Sequence, residues 1–151
     1  MFSKKSGSFW KNKRILVTGG SGFLGKHLVG LLKKHKPSEI IVPLSKDCDL
    51  RIASNAREIV KDIDIVIHLA ARVGGIGYNM KYPGELFYEN AIMGIQLMEE
   101  ARKARVKKFI AIGTICSYPK YTPIPFNENN LWDGYPEETN APYGLAKKML
   151  L

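Results

Sequence analysis

The sequence predicts an α/β fold built on a doubly wound parallel sheet, and three observations predict it. Short, almost wholly apolar runs recur along the chain at Ile15-Leu16-Val17-Thr18, Glu39-Ile40-Ile41-Val42, Asp64 to Ala71 and Lys108 to Gly113. Runs of this kind suit strands that are covered on both faces. Between them lie stretches whose apolar residues recur at helical spacing, and strands that alternate with helices argue for parallel crossovers. The first strand also runs directly into Gly19-Gly20-Ser21-Gly22-Phe23-Leu24-Gly25, which reads as a strand, a glycine turn and the start of a helix.

The glycines of that turn read either as Gly20-x-Gly22-x-x-Gly25 or as Gly19-x-x-Gly22-x-x-Gly25, and both readings have the same physical meaning. Glycine permits a tight turn, lets the backbone approach a pyrophosphate closely, and lets the helix pack against the strand. The helix N-terminus then offers free N–H groups and a positive dipole end to the phosphates. Its position between a strand and a helix is the context that a dinucleotide site needs.

Length and composition set the limits. At 151 residues the chain is long enough for one domain with a real core. No apolar run approaches the ~20 residues of a membrane span, and Met1 to Lys13 lacks the apolar stretch of a secretory signal. Two cysteines, Cys48 and Cys116, form no disulfide framework and suit a reducing, cytoplasmic setting. The net charge is +9, and nine of the 23 basic residues precede the first acidic one, Glu39. The Ser/Gly/Lys-rich residues 1–13 are expected to form a basic, solvated leader ahead of a domain over residues 14–151, with neither a nucleic acid nor a membrane as partner.

Taken in order, Leu24, Leu28, Leu31 and Leu32 mark the inner face of the first helix. Pro37 breaks it before the second strand. The segment Pro43-Leu44-Ser45-Lys46-Asp47 then falls where such folds meet the adenosine ribose. A hydroxyl and an ammonium, Ser45 and Lys46, favour a 2′-phosphate, and hence NADP. Asp47 keeps the acidic NAD-type role open. Ala53 to Lys61 reads as a short helix with Ala56, Ile59, Val60 and Ile63 inward. His68, flanked by apolar residues in the third strand, reads as a structural, hydrogen-bonded histidine.

Arg72-Val73-Gly74-Gly75-Ile76-Gly77 reads as a loop beyond the third strand, the end of the sheet where ligands sit. After Pro83 a helix carries Leu86, Asn90, Met93 and Leu97 on one face. Asn90 is thus a polar group on an apolar stripe, and it requires a hydrogen-bond partner. The fourth strand ends in Thr114-Ile115-Cys116-Ser117-Tyr118-Pro119. Lys120 to Glu138 reads as a loop, and Thr139 reads as the N-cap of a last helix, with Pro142 in its first turn.

That helix holds Tyr143 and Lys147, four apart and therefore on one face. A tyrosine that serves as acid or base near neutrality needs its pKa of ~10 lowered, at about 1.4 kcal/mol per unit. The Lys147 ammonium is expected to supply part of that stabilisation. No metal site is expected.

Thr18-Gly19-x-x-Gly22-x-x-Gly25, His68-Leu69-Ala70-Ala71, Thr114 and Tyr143-x-x-x-Lys147 together resemble the extended short-chain dehydrogenase/reductase family, whose members carry a Rossmann-type sheet. Ala70-Ala71-Arg72-Val73-Gly74-Gly75-Ile76 with Asn79 and Tyr82-Pro83, and Cys116-x-Tyr118-Pro119, are similar to its GDP-L-fucose synthase branch, as is Ser45-Lys46-Asp47-x-Asp49-Leu50. The resemblance implies C3/C5 epimerisation of GDP-4-keto-6-deoxy-mannose and reduction at C4 with NADP(H), probed at Tyr143 as the acid and Lys147 as the ribose-binding, tuning cation. It assigns Thr114 to the substrate oxygen and Cys116 to epimerisation. It assigns Gly19, Ser21, Gly22, Phe23, Leu24, Gly25, Ser45, Lys46, Asp49, Leu50, Leu69, Ala70, Ala71 and Lys147 to the cofactor, and Val73, Gly74 and Asn90 to the substrate. A nucleotide-sugar 4-epimerase and a non-catalytic nucleotide-binding module stand as alternatives. Family members run to about twice this length and act as homodimers. The resemblance therefore implies a partial sheet of four strands plus the Tyr-x-x-x-Lys helix, inactive alone and without the C-terminal substrate domain.

Overall fold

The computed structural model describes residues 9–151. The elements follow as β1 (Arg14–Thr18), α1 (Phe23–Lys34), β2 (Glu39–Ile41), α2 (Ala53–Ile59), β3 (Ile65–His68), α3 (Ile76–Lys81), α4 (Pro83–Lys103), β4 (Lys108–Ala111), two short 3₁₀ turns (Ile115–Ser117 and Glu128–Trp132) and α5 (Ala141–Lys148). The four strands form one parallel sheet in the order β2-β1-β3-β4. Ile15 pairs with Ile40 on one side and with Ile65 on the other, and Thr18 pairs with His68 at the carboxyl end. The chain therefore winds outward in both directions from β1 and β3, the strands at which an open sheet of this class receives its ligands.

The core sits on this sheet. Ile15, Val17, Leu32, Ile65 and Ile67 form one buried cluster, with Leu28, Val29, Ile40, Val42, Leu69 and Ile110 packed against it. Leu16 and Val66 are fully buried too, as alternation on doubly covered strands requires. β2 is only partly buried, since it lies at a sheet edge among the described residues. On α1, Leu32 is buried and Leu28 half-buried, but Leu24 and Leu31 are exposed. The inner face is thus narrower than the leucine spacing predicts.

Other expectations are corrected. Residues 9–13 are no free leader: Trp10 packs against the core and the Lys13 carbonyl accepts the N–H groups of Ser38 and Glu39. Residues 1–8 lie outside the described residues. Residues 76–81 are a helix rather than loop, begun at Gly75 in extended conformation. The N-cap of α5 is Asn140 and not Thr139, because the Thr139 hydroxyl is turned back to Glu137 at 2.7 Å.

The chain divides into two compact units. One comprises the chain through Ala70 together with Gln96–Ile112, and holds the sheet. The other comprises Ala71–Ile95 and Gly113–Leu151, and holds α3, the two 3₁₀ turns and α5. Among the described residues no helix is long and apolar enough to cross a membrane.

Candidate functional site

The expected site residues fall into two groups, one in each unit. In the sheet unit the glycine turn closes β1. Gly19 has φ +69°, the left-handed region that favours glycine, and a Cβ there would stand 2.7 Å from the Ala70 backbone nitrogen. A Cβ on Gly25 would overlap the backbone of Gly19 and Gly20. The two glycines thus let β1, the β3 end and the first turn of α1 pack backbone to backbone. Thr18 secures the arrangement from beneath. Its buried hydroxyl lies 2.7 Å from His68 Nδ1 and accepts the Ala70 N–H at 3.3 Å. His68 is therefore the structural, hydrogen-bonded histidine that its apolar neighbours predict.

The start of α1 is open to an anion. Gly22 occupies its N-cap without a side-chain cap hydrogen bond, and no acidic residue stands in its first turn. Ser21, Gly22, Phe23 and Leu24 are all exposed there. The free first-turn N–H groups and the dipole end are the fit that a pyrophosphate needs. Ser45 and Lys46 are exposed on the turn that follows β2, closed by Asp47 and Cys48 N–H groups on the Leu44 carbonyl. Among the described residues Lys46 has no carboxylate partner, whereas Asp49 is held by the Arg51 guanidinium at 2.9 and 2.7 Å. The hydrogen bond from Arg51 holds the Asp49 carboxyl below the usual range. Leu50 is buried, and Leu69, Ala70 and Ala71 line the half-buried end of β3.

In the second unit one turn and one helix hold the expected catalytic residues. Thr114 is the N-cap of the 3₁₀ turn Ile115–Ser117, and its hydroxyl accepts the Cys116 N–H at 3.2 Å. The buried Ser117 hydroxyl donates to the Gly144 carbonyl at 2.8 Å. A Cβ on Gly144 would overlap the Cys116 carbonyl. Ser117 and Gly144 therefore dock the Thr-x-Cys turn directly on α5, one residue from Tyr143. Both were invisible as site residues in the sequence, although a glycine between Tyr143 and Lys147 is the visible trace of that close contact.

Tyr143 is half-buried and Lys147 is 4% exposed. Burial pushes the Tyr143 phenol above its ordinary pKa, the neighbouring Cys116 adds to this, and the Thr114 hydrogen bond opposes it. Burial pushes the Lys147 ammonium down. This corrects the expectation that Lys147 depresses Tyr143: desolvation dominates both groups. A protonated phenol is the form a proton donor requires.

The predicted substrate loop is preformed. The Arg72 guanidinium bonds the Glu89 carboxylate at 2.5 Å and the Tyr78 hydroxyl. A Cβ on Gly74 would stand 2.7 Å from the Tyr78 Cβ, so glycine is needed there for packing, while Val73 is 64% exposed. Asn90 is a correction. It is 2% exposed, its Oδ1 accepts the Arg72 N–H at 2.9 Å, and its Nδ2 donates to the carbonyls of Arg72 and Leu86. It clamps the loop rather than presenting a free amide to a substrate.

A family model for the NAD dependent epimerase/dehydratase family matches residues 15–151. The chain belongs to this family. Among curated relatives, GDP-L-fucose synthase of Dictyostelium discoideum is 36% identical over 142 residues, covering 91% of this chain and 44% of its own length. GDP-L-colitose synthase of Yersinia pseudotuberculosis is 35% identical, with 89% and 44% covered. A solved GDP-L-fucose synthetase from Naegleria fowleri, bound to NADP, is 34% identical with a TM-score of 0.81 over 93% of this chain and 43% of that one. The chain thus spans less than half the length of these epimerase/dehydratase family proteins.

Proposed function

We propose that this chain carries the NADP(H)-binding part and the Tyr–Lys pair of a GDP-sugar epimerase/reductase of the GDP-L-fucose synthase kind. The observation that carries the reading is the docked turn: Thr114 and Cys116 are held on the helix of Tyr143 and Lys147 by Ser117 and Gly144. A hydroxyl, a thiol, a protonated phenol and an ammonium are the groups that a two-stage keto-sugar reaction calls for.

The residues fit NADP(H). The Gly19 and Gly25 cradle and the uncapped start of α1 suit the pyrophosphate, and the exposed Ser45 and Lys46 suit the 2′-phosphate. When bound, the cofactor supplies hydride for reduction of a ketone. Tyr143 donates its proton to the C4 oxygen. Thr114 donates a hydrogen bond to that same oxygen, and Lys147 binds the nicotinamide ribose. Cys116 moves protons at the carbons beside the ketone, which enolisation acidifies. Arg72, Val73 and Gly74 border the sugar.

The family and the two relatives named for fucose and colitose support a GDP-keto-sugar as substrate. The complete protein incubated with NADPH and GDP-4-keto-6-deoxy-mannose is expected to consume NADPH in step with ketone. Absence of NADPH loss excludes the reductase reading and leaves a 4-epimerase that recycles its nucleotide. Tyr143→Phe is expected to cut NADPH consumption by about 10²–10⁴-fold.

A further inference from the structure

Beyond Tyr143 and Lys147, the second unit contains a chain of amides that none of the expected roles uses. Asn79 on α3 is 5% exposed, and its Nδ2 donates to Asn140 Oδ1 at 3.0 Å. Asn140 is the N-cap of α5, yet its side chain makes no cap hydrogen bond to its own helix. Its Nδ2 donates instead to Glu137 Oε2 at 2.7 Å. Glu137 also accepts the backbone N–H groups of Thr139 at 3.1 Å and Asn140 at 3.2 Å. The hydroxyl and N–H of Thr139, followed by Asn140, hold the Glu137 carboxyl below its usual range, so it is an acceptor only at neutral pH.

That acceptor sets the direction of the whole relay. Glu137 draws the Asn140 Nδ2, which turns Oδ1 toward Asn79 and draws the Asn79 Nδ2 in turn. Asn79 Oδ1 is left as the buried side-chain atom without a hydrogen-bond partner among the described residues. A buried acceptor without a partner is costly, and an apolar residue of the same shape would avoid it. Stability alone therefore does not account for an asparagine here. What the asparagine does provide is a fixed, directional tie between α3 and the first turn of α5, which ends at Tyr143.

We propose that Asn79 and Asn140 are positioning residues for Tyr143, holding the first turn of α5 through the directional Asn79–Asn140–Glu137 relay. The proposal rests on the reading above only in naming Tyr143 as the proton donor. A side chain three residues beyond the cap is sensitive to the angle of the cap, and small misplacements of a reacting group are expensive in rate.

The test is made on the chain without nucleotide or substrate, with ring-labelled tyrosine and the Tyr143 resonance identified by its loss in Tyr143→Phe. Asn79→Leu removes both the tie and the orphan acceptor. Its denaturation midpoint is expected to stay at or above that of the wild type, while the Tyr143 resonance shifts or splits. Asn140→Ala is expected to displace the same resonance in the same direction, and the double variant to go no further than either single one. In the complete protein both variants are expected to lower kcat about tenfold with the KM for NADPH unchanged. A Tyr143 resonance that keeps its wild-type position in folded Asn79→Leu overturns the proposal, as does additive displacement in the double variant. If Asn79→Leu does not fold, Asn140→Ala decides alone, and a wild-type Tyr143 resonance there overturns it. None of these outcomes bears on the substrate, and failure of the NADPH assay leaves the resonance test standing.

Discussion

At the residue scale the two stages of the proposed chemistry separate onto two side chains. Tyr143 acts when hydride reaches C4, whereas Cys116 acts on the neighbouring carbons before it. Cys116→Ser in the complete protein is expected to slow entry of solvent deuterium at C3 or C5 by about 10²-fold, and to leave reduction of an already epimerised ketone largely intact. Exchange at the wild-type rate would reduce Cys116 to packing. The cofactor turn is a separate matter. Lys46 is exposed and without a carboxylate partner among the described residues, so reversing its charge disturbs little else. Lys46→Glu is expected to weaken NADPH binding by about 1–3 kcal/mol, the scale of a lost charge-assisted contact, and NADH far less. Calorimetric titration of both nucleotides checks this, and equal losses would remove Lys46 from the 2′-phosphate.

At the element scale the glycines of helices show what backbone contact is worth. Gly144 in α5 lies against the Cys116 carbonyl, whereas a Cβ on Gly30 in α1 would meet nothing within 4 Å. Alanine favours a helix over glycine by about 1 kcal/mol, and forced overpacking costs about 1–3 kcal/mol. Gly30→Ala is therefore expected to raise the denaturant midpoint and Gly144→Ala to lower it, although both place the better helix former. This scale also shows what the sequence reveals. Apolar runs and spacing located all four strands and the helices of Phe23, Ala53 and Pro83, because burial imposes a strong pattern, and Pro142 with the Tyr-x-x-x-Lys spacing located the last helix. The sequence pattern missed α3, since Gly75, Gly77 and the exposed Ile76 and Met80 hide a helix held mainly by Tyr78 and Asn79. It misjudged Asn90 and the cap of α5, because the partners of a buried amide come from residues distant in sequence. For the same reason Tyr143 and Lys147 were legible as a pair, but the burial that shifts each of them was not.

At the scale of the whole molecule, pH dependence gathers the charged groups into one testable curve. Asp64 is its best-placed member. Its Oδ1 accepts from the Lys107 ammonium at 2.6 Å and its Oδ2 accepts the Arg14 N–H at 3.0 Å. Its own backbone accepts from Lys107 and donates to Arg14, so one residue joins the starts of β1, β3 and β4. The Lys107 hydrogen bond, then that of Arg14, hold its carboxyl below the ordinary 3.8. A carboxylate with a depressed folded pKa contributes stability above its unfolded pKa, and this is lost as pH falls through the folded one. Asp64 is thus expected to support the sheet fully at neutrality and to lose that support as pH falls through its lowered folded pKa. At the alkaline end Lys147, lowered, gains stability as pH rises toward 10.5, and Tyr143, raised, loses it as pH climbs past 10. Asp64→Asn is expected to lower stability by about 1–2 kcal/mol near pH 7, the scale of lost charged hydrogen bonds, and to converge on the wild type as pH falls through the lowered Asp64 pKa. Urea midpoints across the acid range measure the difference. A deficit in Asp64→Asn that persists undiminished at the acid end would show that Asp64 acts through its shape and not through its charge.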